Sequence, residues 1–245
     1  LNLAIISDIH GNSYALDQVL ARIDAEGIDR IVCLGDVALS GFDPKGSIER
    51  LVERGIPTVR GNTDGRILAD DPYQPADPAE ASRERDWMDW TLAQLGHGHL
   101  AALNRLPGTI DLEIEEWRIT AYHGSPKDYF DPVLPSTPPD TLERWFEETS
   151  AQILLGGHTH QQMLRRWNGR SIVNPGPVSL NPEKLPAGAR TARPWAEFAV
   201  LTLRPGAFEC SFRYVPIDLD QLERHAHASG LPHVEAWLAE WSLGS

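Results

Sequence analysis

At 245 residues the chain has room for one large α/β domain with a sizeable core, and its 41% apolar and 23% charged residues argue against a disordered or fibrous protein. A formal charge of −13, with no lysine- or arginine-rich run to offset it, argues against a long nucleic acid as partner. Apolar runs such as residues 3–6 and 153–155 are too short to span a bilayer and no charged-then-apolar leader precedes the first of them, so a cytoplasmic protein without a membrane partner is expected.

Residues 3–7 form an apolar run of strand length, followed by the loop Asp8-Ile9-His10-Gly11-Asn12 and a helical pattern with Leu16, Val19, Leu20 and Ile23 on one face. The pattern repeats with a strand at 30–34, the loop Gly35-Asp36 and a helix near 44–54, then with a strand at 56–60 and the loop Gly61-Asn62-Thr63-Asp64. Three strand-then-loop units, the first two separated by helices, predict parallel strands with helices on the faces. Prolines and aspartates make residues 70–78 a loop, and residues 84–103 read as one amphipathic helix. Together, residues of about 65–108 read as a helical insertion near the rim of a site.

Strands are expected next at 109–114 and 117–122, joined as a hairpin through Glu115-Glu116, with His123-Gly124-Ser125-Pro126 closing the second. A helix begins near Pro138 and Pro139 and ends before a strand at 152–155. After Gly156-Gly157-His158-Thr159-His160, strands at 161–166, 171–174, 196–203 and 207–215 compose an antiparallel half. Residues 218–243 read as C-terminal helices broken at Gly230-Leu231-Pro232, with Asp218 and Gln221 as a capping pair. No internal repeat or linker divides residues 1–245, so a single domain is expected. Cys33 and Cys210 fall within strands and read as small buried hydrophobes rather than a disulfide.

Seven side chains of metal-ligating type stand in five loops, each after an apolar run: Asp8 and His10, Asp36, Asn62, His123, His158 and His160. Loops at the C-terminal ends of parallel strands share one crevice. Asp and His suit divalent transition ions, and a carboxylate can bridge a pair of them where a neutral imidazole cannot, which makes Asp36 the expected bridge. Two divalent cations against Asp8, Asp36 and one hydroxide sum to about +1, so a phosphate is attracted despite the acidic chain. Such a pair, about 3.5–4 Å apart, can activate a bridging hydroxide and clamp phosphoryl oxygens for in-line attack.

Asp8-Ile9-His10, Gly35-Asp36, Gly61-Asn62-Thr63-Asp64, the HGSP at His123 and Gly157-His158-Thr159-His160 resemble the calcineurin-like metallophosphoesterase superfamily over residues 1 to about 180. SDIHGN, VRGNTD, HGSP and Asn174-Pro175-Gly176-Pro177-Val178 look like its small bacterial and archaeal phosphodiesterase branch. The resemblance implies an α/β fold, a four-layer α/β/β/α sandwich with mixed sheets. It further implies that Asp8, His10, Asp36 and His160 hold one ion and Asp36, Asn62, His123 and His158 the other. In many relatives a histidine follows the asparagine and protonates the leaving group; here Thr63 stands there, so Asn62 and Asp64 remain as the expected catalytic pair. Loss of general-acid help, typically worth about 10²–10⁴-fold, favours aryl esters or phosphoanhydrides.

Arg60, at a strand end, has the planar fork to meet a phosphate oxygen or a structural carboxylate, and Asn12 can touch substrate or cap the helix behind it. His97 and His99 read as a solvated helix end, and His225, His227 and His233 as an exposed helix face. Trp87, Trp90, Trp145, Trp237 and Trp241 are read as core, and Asp128 and Asp131 as loop residues. The expected activity is hydrolysis of small phosphodiesters or nucleotides with two divalent metal ions, manganese first and iron, nickel or zinc as alternatives. A phosphomonoesterase or a dinucleoside polyphosphate hydrolase is the nearest rival, and a non-catalytic protein-binding scaffold the more distant one.

Overall fold

A computed structural model describes residues 1–28, 30–69, 71, 73–179, 182–184, 190–192, 194–239 and 241. The chain runs β1 (Asn2–Ile6), α1 (Ser13–Ala25), β2 (Arg30–Cys33), α2 (Pro44–Glu53), α3 (Asn62–Ala69), α4 (Pro78–Gln94) and α5 (His97–Asn104). Then follow β3 (Ile110–Ile114), β4 (Trp117–Ala121), α6 (Pro139–Phe146), β5 (Ile153–Leu155), β6 (Met163–Trp167) and β7 (Arg170–Asn174). The remainder is β8 (Pro182–Lys184), β9 (Arg190–Ala192), β10 (Trp195–Arg204), β11 (Ala207–Pro216), α7 (Leu219–Ser229) and α8 (Val234–Ala239).

One sheet has the order β11-β10-β1-β2, with β1 parallel to β2 and antiparallel to β10. The other has the order β3-β4-β5-β7-β6, in which β4, β5 and β7 are parallel. Strand alternation assigns the layers. Leu3 and Ile5 join Val32, Ile119, Ala121, Ile153, Leu155, Val173 and Leu201 in a core between the sheets. Ala4 and Ile6 turn the other way, onto a second core that includes Leu16, Val19, Ile48, Met88, Leu222 and Trp237 from the helices. Leu154 and Ile172 face a third, with Leu142 and Phe146 of α6. The layers are therefore helix, sheet, sheet, helix, as the resemblance implied.

Several expectations needed correction. Residues 56–60 are not a strand: only Thr58 bridges to Cys33, because Pro57 has no N–H to extend the ladder and Arg60 N–H turns away to the Pro107 carbonyl. The single helix expected at 84–103 is two, α4 and α5, broken at Leu95-Gly96. Helix α3, in a stretch that reads as turn residues, begins at Asn62 itself. The α3–α5 segment also contributes Ile67, Trp87, Met88, Leu95 and Leu103 to the helical core. The short β8-β9 pair was not foreseen. By contrast, Asp218 does cap α7 through the Gln221 N–H at 3.1 Å, and Gly230 ends that helix in the left-handed region.

Candidate metal centre

Asp8 and His10 follow β1, Asp36 follows β2, His123 follows β4, His158 and His160 follow β5, and Asn62 opens α3. The chain turns sharply at these strand ends. Asp8, His10, Asp36, His158 and His160 all have φ between +47° and +67°, a left-handed backbone that L side chains enter at a cost of about 1–3 kcal/mol each. Hydrogen bonds between loops hold the strained turns: Asp8 N–H to Gly35 O at 3.0 Å, His10 N–H to Asp36 O at 2.9 Å and Gly157 N–H to His123 O at 2.8 Å. Only glycine allows two of the approaches. A Cβ on Gly61 would lie 2.0 Å from Asp36 Oδ1, and one on Gly157 would lie 2.1 Å from Ser7 Oγ.

These turns bring all seven predicted ligands into one cluster. His10 Nε2 lies 3.1 Å from His160 Nε2, and His160 Nε2 lies 3.3 Å from Asp8 Oδ1. Asp36 Oδ2 stands between two imidazoles, 3.7 Å from His10 Nε2 and 3.4 Å from His123 Nε2. The Asn62 side chain lies 2.9 Å from both His123 Nε2 and His158 Nδ1. Two groups within this cluster have the spacing of a cation site, Asp8-His10-His160 and Asp8-Asp36-His123.

Whether these residues suit a cation is decided by their unused atoms. Asp8 is wholly buried, and neither of its carboxylate oxygens has a hydrogen-bond partner. A buried polar atom left unpartnered costs about 1–3 kcal/mol, and more when charged, so oxygens placed in this way fit a cation. The imidazoles agree. His10 Nδ1 lies 3.1 Å from Leu39 O and His123 Nδ1 2.7 Å from Leu34 O, so each donates its Nδ1–H to a carbonyl and turns Nε2 toward the cluster. Asp36 divides its oxygens, Oδ1 accepting from Thr63 N–H at 2.9 Å and Oδ2 facing the cluster.

Burial would push the Asp8 carboxyl up, but the imidazoles of His160 and His123 outweigh it and hold it at about 2. Asp36 is lowered too, with His123 and His10 overriding burial. For His123, burial opposes the proton, yet Asp36 and Asp8 carry the ring up to about 9. Burial lowers His10 and His158.

Asp64, Thr63, Arg60 and Asn12 stand in or next to the loops of the cluster. Asp64, expected to be catalytic, is fully buried and accepts backbone N–H bonds from Asp36 at 3.0 Å, Val37 at 2.9 Å and Gly61 at 2.9 Å. That is the place of a brace between two ligand loops. Arg60 donates to Asn104 O at 2.6 Å, at the end of α5. Asn12 caps α1 through Ala15 N–H at 2.9 Å, and its amide donates to Ser179 Oγ at 3.3 Å. Thr63 is buried with its hydroxyl unpartnered.

His99 is not a solvated helix end. It sits at the start of α5, accepts from Gly96 N–H at 3.0 Å and meets Glu49 at 3.2 Å, whereas His97 is exposed. His225, His227 and His233 are exposed as expected. Asp128 and Asp131 are spent inside the loop, on Phe130 N–H and Ser125 Oγ. Trp87, Trp237 and Trp241 are buried, with Trp90 and Trp145 packed at the core edge. Cys33 and Cys210 are free thiols.

Sequence reasoning missed the supports. Asn174 donates to Gly157 O at 2.7 Å and accepts from Gly176 N–H at 2.9 Å, while Ser179 N–H donates to Asp8 O at 3.0 Å. The Asn174-Pro175-Gly176 turn was the available signal for these; nothing in the residue types marks the Leu34 and Leu39 carbonyls.

Two mixed sheets flanked by helices, with a buried Asp/His cluster at the strand ends, define an α/β sandwich carrying a candidate metal site. Residues 1–202 match the calcineurin-like phosphoesterase superfamily domain, and the chain belongs to that superfamily. It is 26% identical over 184 residues to the uncharacterized protein MJ0912 of Methanocaldococcus jannaschii, covering 74% of this chain and 72% of that one. Its fold is shared by a metallophosphoesterase from Sphaerobacter thermophilus, with a TM-score of 0.73, 24% identity and 98% of each chain covered. It is shared also by the hypothetical protein PH1004 of Pyrococcus horikoshii, with a TM-score of 0.77, 23% identity and coverage of 100% and 99%. Among the described residues no helix is long and apolar enough to cross a membrane.

Proposed function

We propose that this chain is a metal-dependent hydrolase of small phosphodiesters or nucleotides, with two divalent cations, manganese first, seated by the seven clustered side chains. The observation that carries the reading is Asp8, a buried carboxylate with neither oxygen hydrogen-bonded, packed among imidazoles with His160 Nε2 3.3 Å from Oδ1. Asp8, His10, Asp36 and His160 would hold one cation and Asp36, Asn62, His123 and His158 the other. When bound, such cations supply Lewis acidity toward the phosphoryl oxygens and a nucleophile drawn from water at neutral pH.

The chain's own residues supply position. Leu34 and Leu39 carbonyls fix the tautomers of His123 and His10, and Asp64 ties the Asp36 and Gly61 loops into one unit. We assign Asp64 a positioning role, since all its hydrogen bonds are to backbone. With threonine at position 63, substrates whose leaving group departs without a proton are favoured.

The test compares kcat/KM of manganese-loaded protein on bis-p-nitrophenyl phosphate, p-nitrophenyl phosphate and a dinucleoside tetraphosphate, with metal analysis of the same preparation. The diester should be turned over fastest and chelation should abolish the rate. Metal-replete protein inert toward all three would overturn the proposal in favour of a scaffold.

A further inference from the structure

Arg66, Tyr73 and Phe130 form a cluster that the chemistry above does not use. Arg66 follows Asn62 by four residues on α3, which sets the two side chains on one face of that helix. Asn62 itself reaches His123 and His158, so Arg66 stands one helical turn along α3 from a member of the Asp/His cluster. Its guanidinium carbon lies 5.3 Å from the Tyr73 ring centroid and 5.4 Å from that of Phe130. The rings arrive from separate segments, Tyr73 from between α3 and α4 and Phe130 from the loop that His123 opens. Asp128 fixes the second by accepting Phe130 N–H at 2.9 Å.

Exposure is what makes the trio unusual. Tyr73 and Phe130 are 47% and 49% exposed, while Tyr122, Phe146, Phe198, Trp237 and Trp241 are no more than 2% exposed. Two half-exposed rings within cation–π distance of one guanidinium offer flat apolar surface and a phosphate-binding fork together. In a chain of net charge −13, a cation at this rim also gives an anionic substrate a local attraction.

We infer that Arg66, Tyr73 and Phe130 are a substrate-recognition clamp, in which the guanidinium takes a phosphoryl oxygen and the rings stack on a planar base. The clamp selects phosphoesters of nucleosides over those of aliphatic alcohols. It rests on the phosphoesterase reading for its placement.

The experiment measures binding first, by calorimetry on the manganese-loaded full chain, using the phosphonate analogue of thymidine 5′-monophosphate and methylphosphonate, neither of which has an ester to hydrolyse. Wild type should bind the nucleoside analogue roughly ten- to a hundredfold more tightly, the range expected of base stacking on aromatic side chains. Tyr73→Ala/Phe130→Ala should erase most of that preference, Tyr73→Phe should keep it, and Arg66→Ala should weaken both ligands. Equal affinities in wild type, or a preference that survives the double substitution, would overturn the clamp.

A second arm compares hydrolysis of thymidine 5′-p-nitrophenyl phosphate with that of methyl p-nitrophenyl phosphate, which share one leaving group. A lower KM for the nucleoside ester, lost in the double variant, supports the clamp. Turnover of both esters with equal kcat/KM overturns the clamp and leaves the hydrolase reading standing. No turnover of either, with nucleoside preference intact in calorimetry, supports the clamp and overturns the hydrolase.

Discussion

Asp8 and Asp64 are both fully buried carboxylates, and their surroundings set them to opposite tasks. Asp64 is saturated by three backbone N–H groups, yet burial and the charge of Asp36 push its carboxyl up to about 6 from 3.8. A raised carboxyl adds most to stability in acid, below about 4, and that contribution fades as pH rises through 6. Asp64→Asn should therefore destabilise the chelated protein by about 1–3 kcal/mol, since an amide turns a donor toward backbone N–H groups. Denaturant unfolding should show the penalty shrinking between pH 5 and pH 7; a penalty independent of pH would contradict the assignment. His123 makes the complementary prediction for metal uptake. With its ring held up to about 9, a proton must leave before a cation can take Nε2, so manganese affinity should rise about tenfold per unit from pH 7 toward 9. Calorimetry in buffers of different ionisation enthalpy should detect about one proton released per binding event in that range, and His123→Ala should flatten the dependence.

At the scale of elements, the site is a set of strand ends whose turns tolerate almost no extra atoms. Gly61→Ala would drive a methyl group into Asp36, with Cβ 2.0 Å from Oδ1 and 2.3 Å from the backbone nitrogen. Overpacking of this kind costs about 1–3 kcal/mol, and here it should also displace a ligand. Gly55→Ala is the control, because its Cβ meets nothing within 4 Å even though its φ of +60° imposes strain. Metal content and Tm measured together should fall for Gly61→Ala, whereas Gly55→Ala should lower Tm alone. The same elements show what was legible in the sequence. Asp8, Asp36, His123 and His158 could be read because each breaks an apolar run just where a parallel strand must end. Helix α3 could not, since Asn62-Thr63-Asp64-Gly65 has turn chemistry and its Thr63 N–H is satisfied by Asp36, a residue distant in sequence. Residues 56–60 misled for the converse reason: the apolar pattern was real, but pairing stopped at Thr58. The motif reports that Asp64 gathers with the ligands, and only the fold shows that its oxygens accept three backbone N–H groups.

Taken as a whole, the molecule places its cation ligands on loops from both sheets, Asp8 and Asp36 from the sheet of β1 and β2, and His123, His158 and His160 from the sheet of β4 and β5. Apolar packing already joins the sheets through Leu3, Ile5, Ile153 and Leu155. At the strand ends the junction is instead made of carboxylates and imidazoles, and bound cations would tie there what hydrocarbon ties below. Ligands so far apart in sequence cannot form the site in the unfolded chain, so metal binding should raise global stability by mass action, about 2.7 kcal/mol at a hundredfold excess over Kd. For a domain of this size each kcal/mol moves Tm by about 2–4 °C, giving an expected rise of roughly 5–11 °C on reconstituting chelated protein with manganese. The rise should be absent in Asp36→Asn, which weakens the ligand common to both cations, and present in Arg66→Ala, whose side chain lies outside the seven. A Tm that does not respond to manganese in the wild-type chain would mean that the cluster binds no cation tightly, and the hydrolase assignment would fall with it.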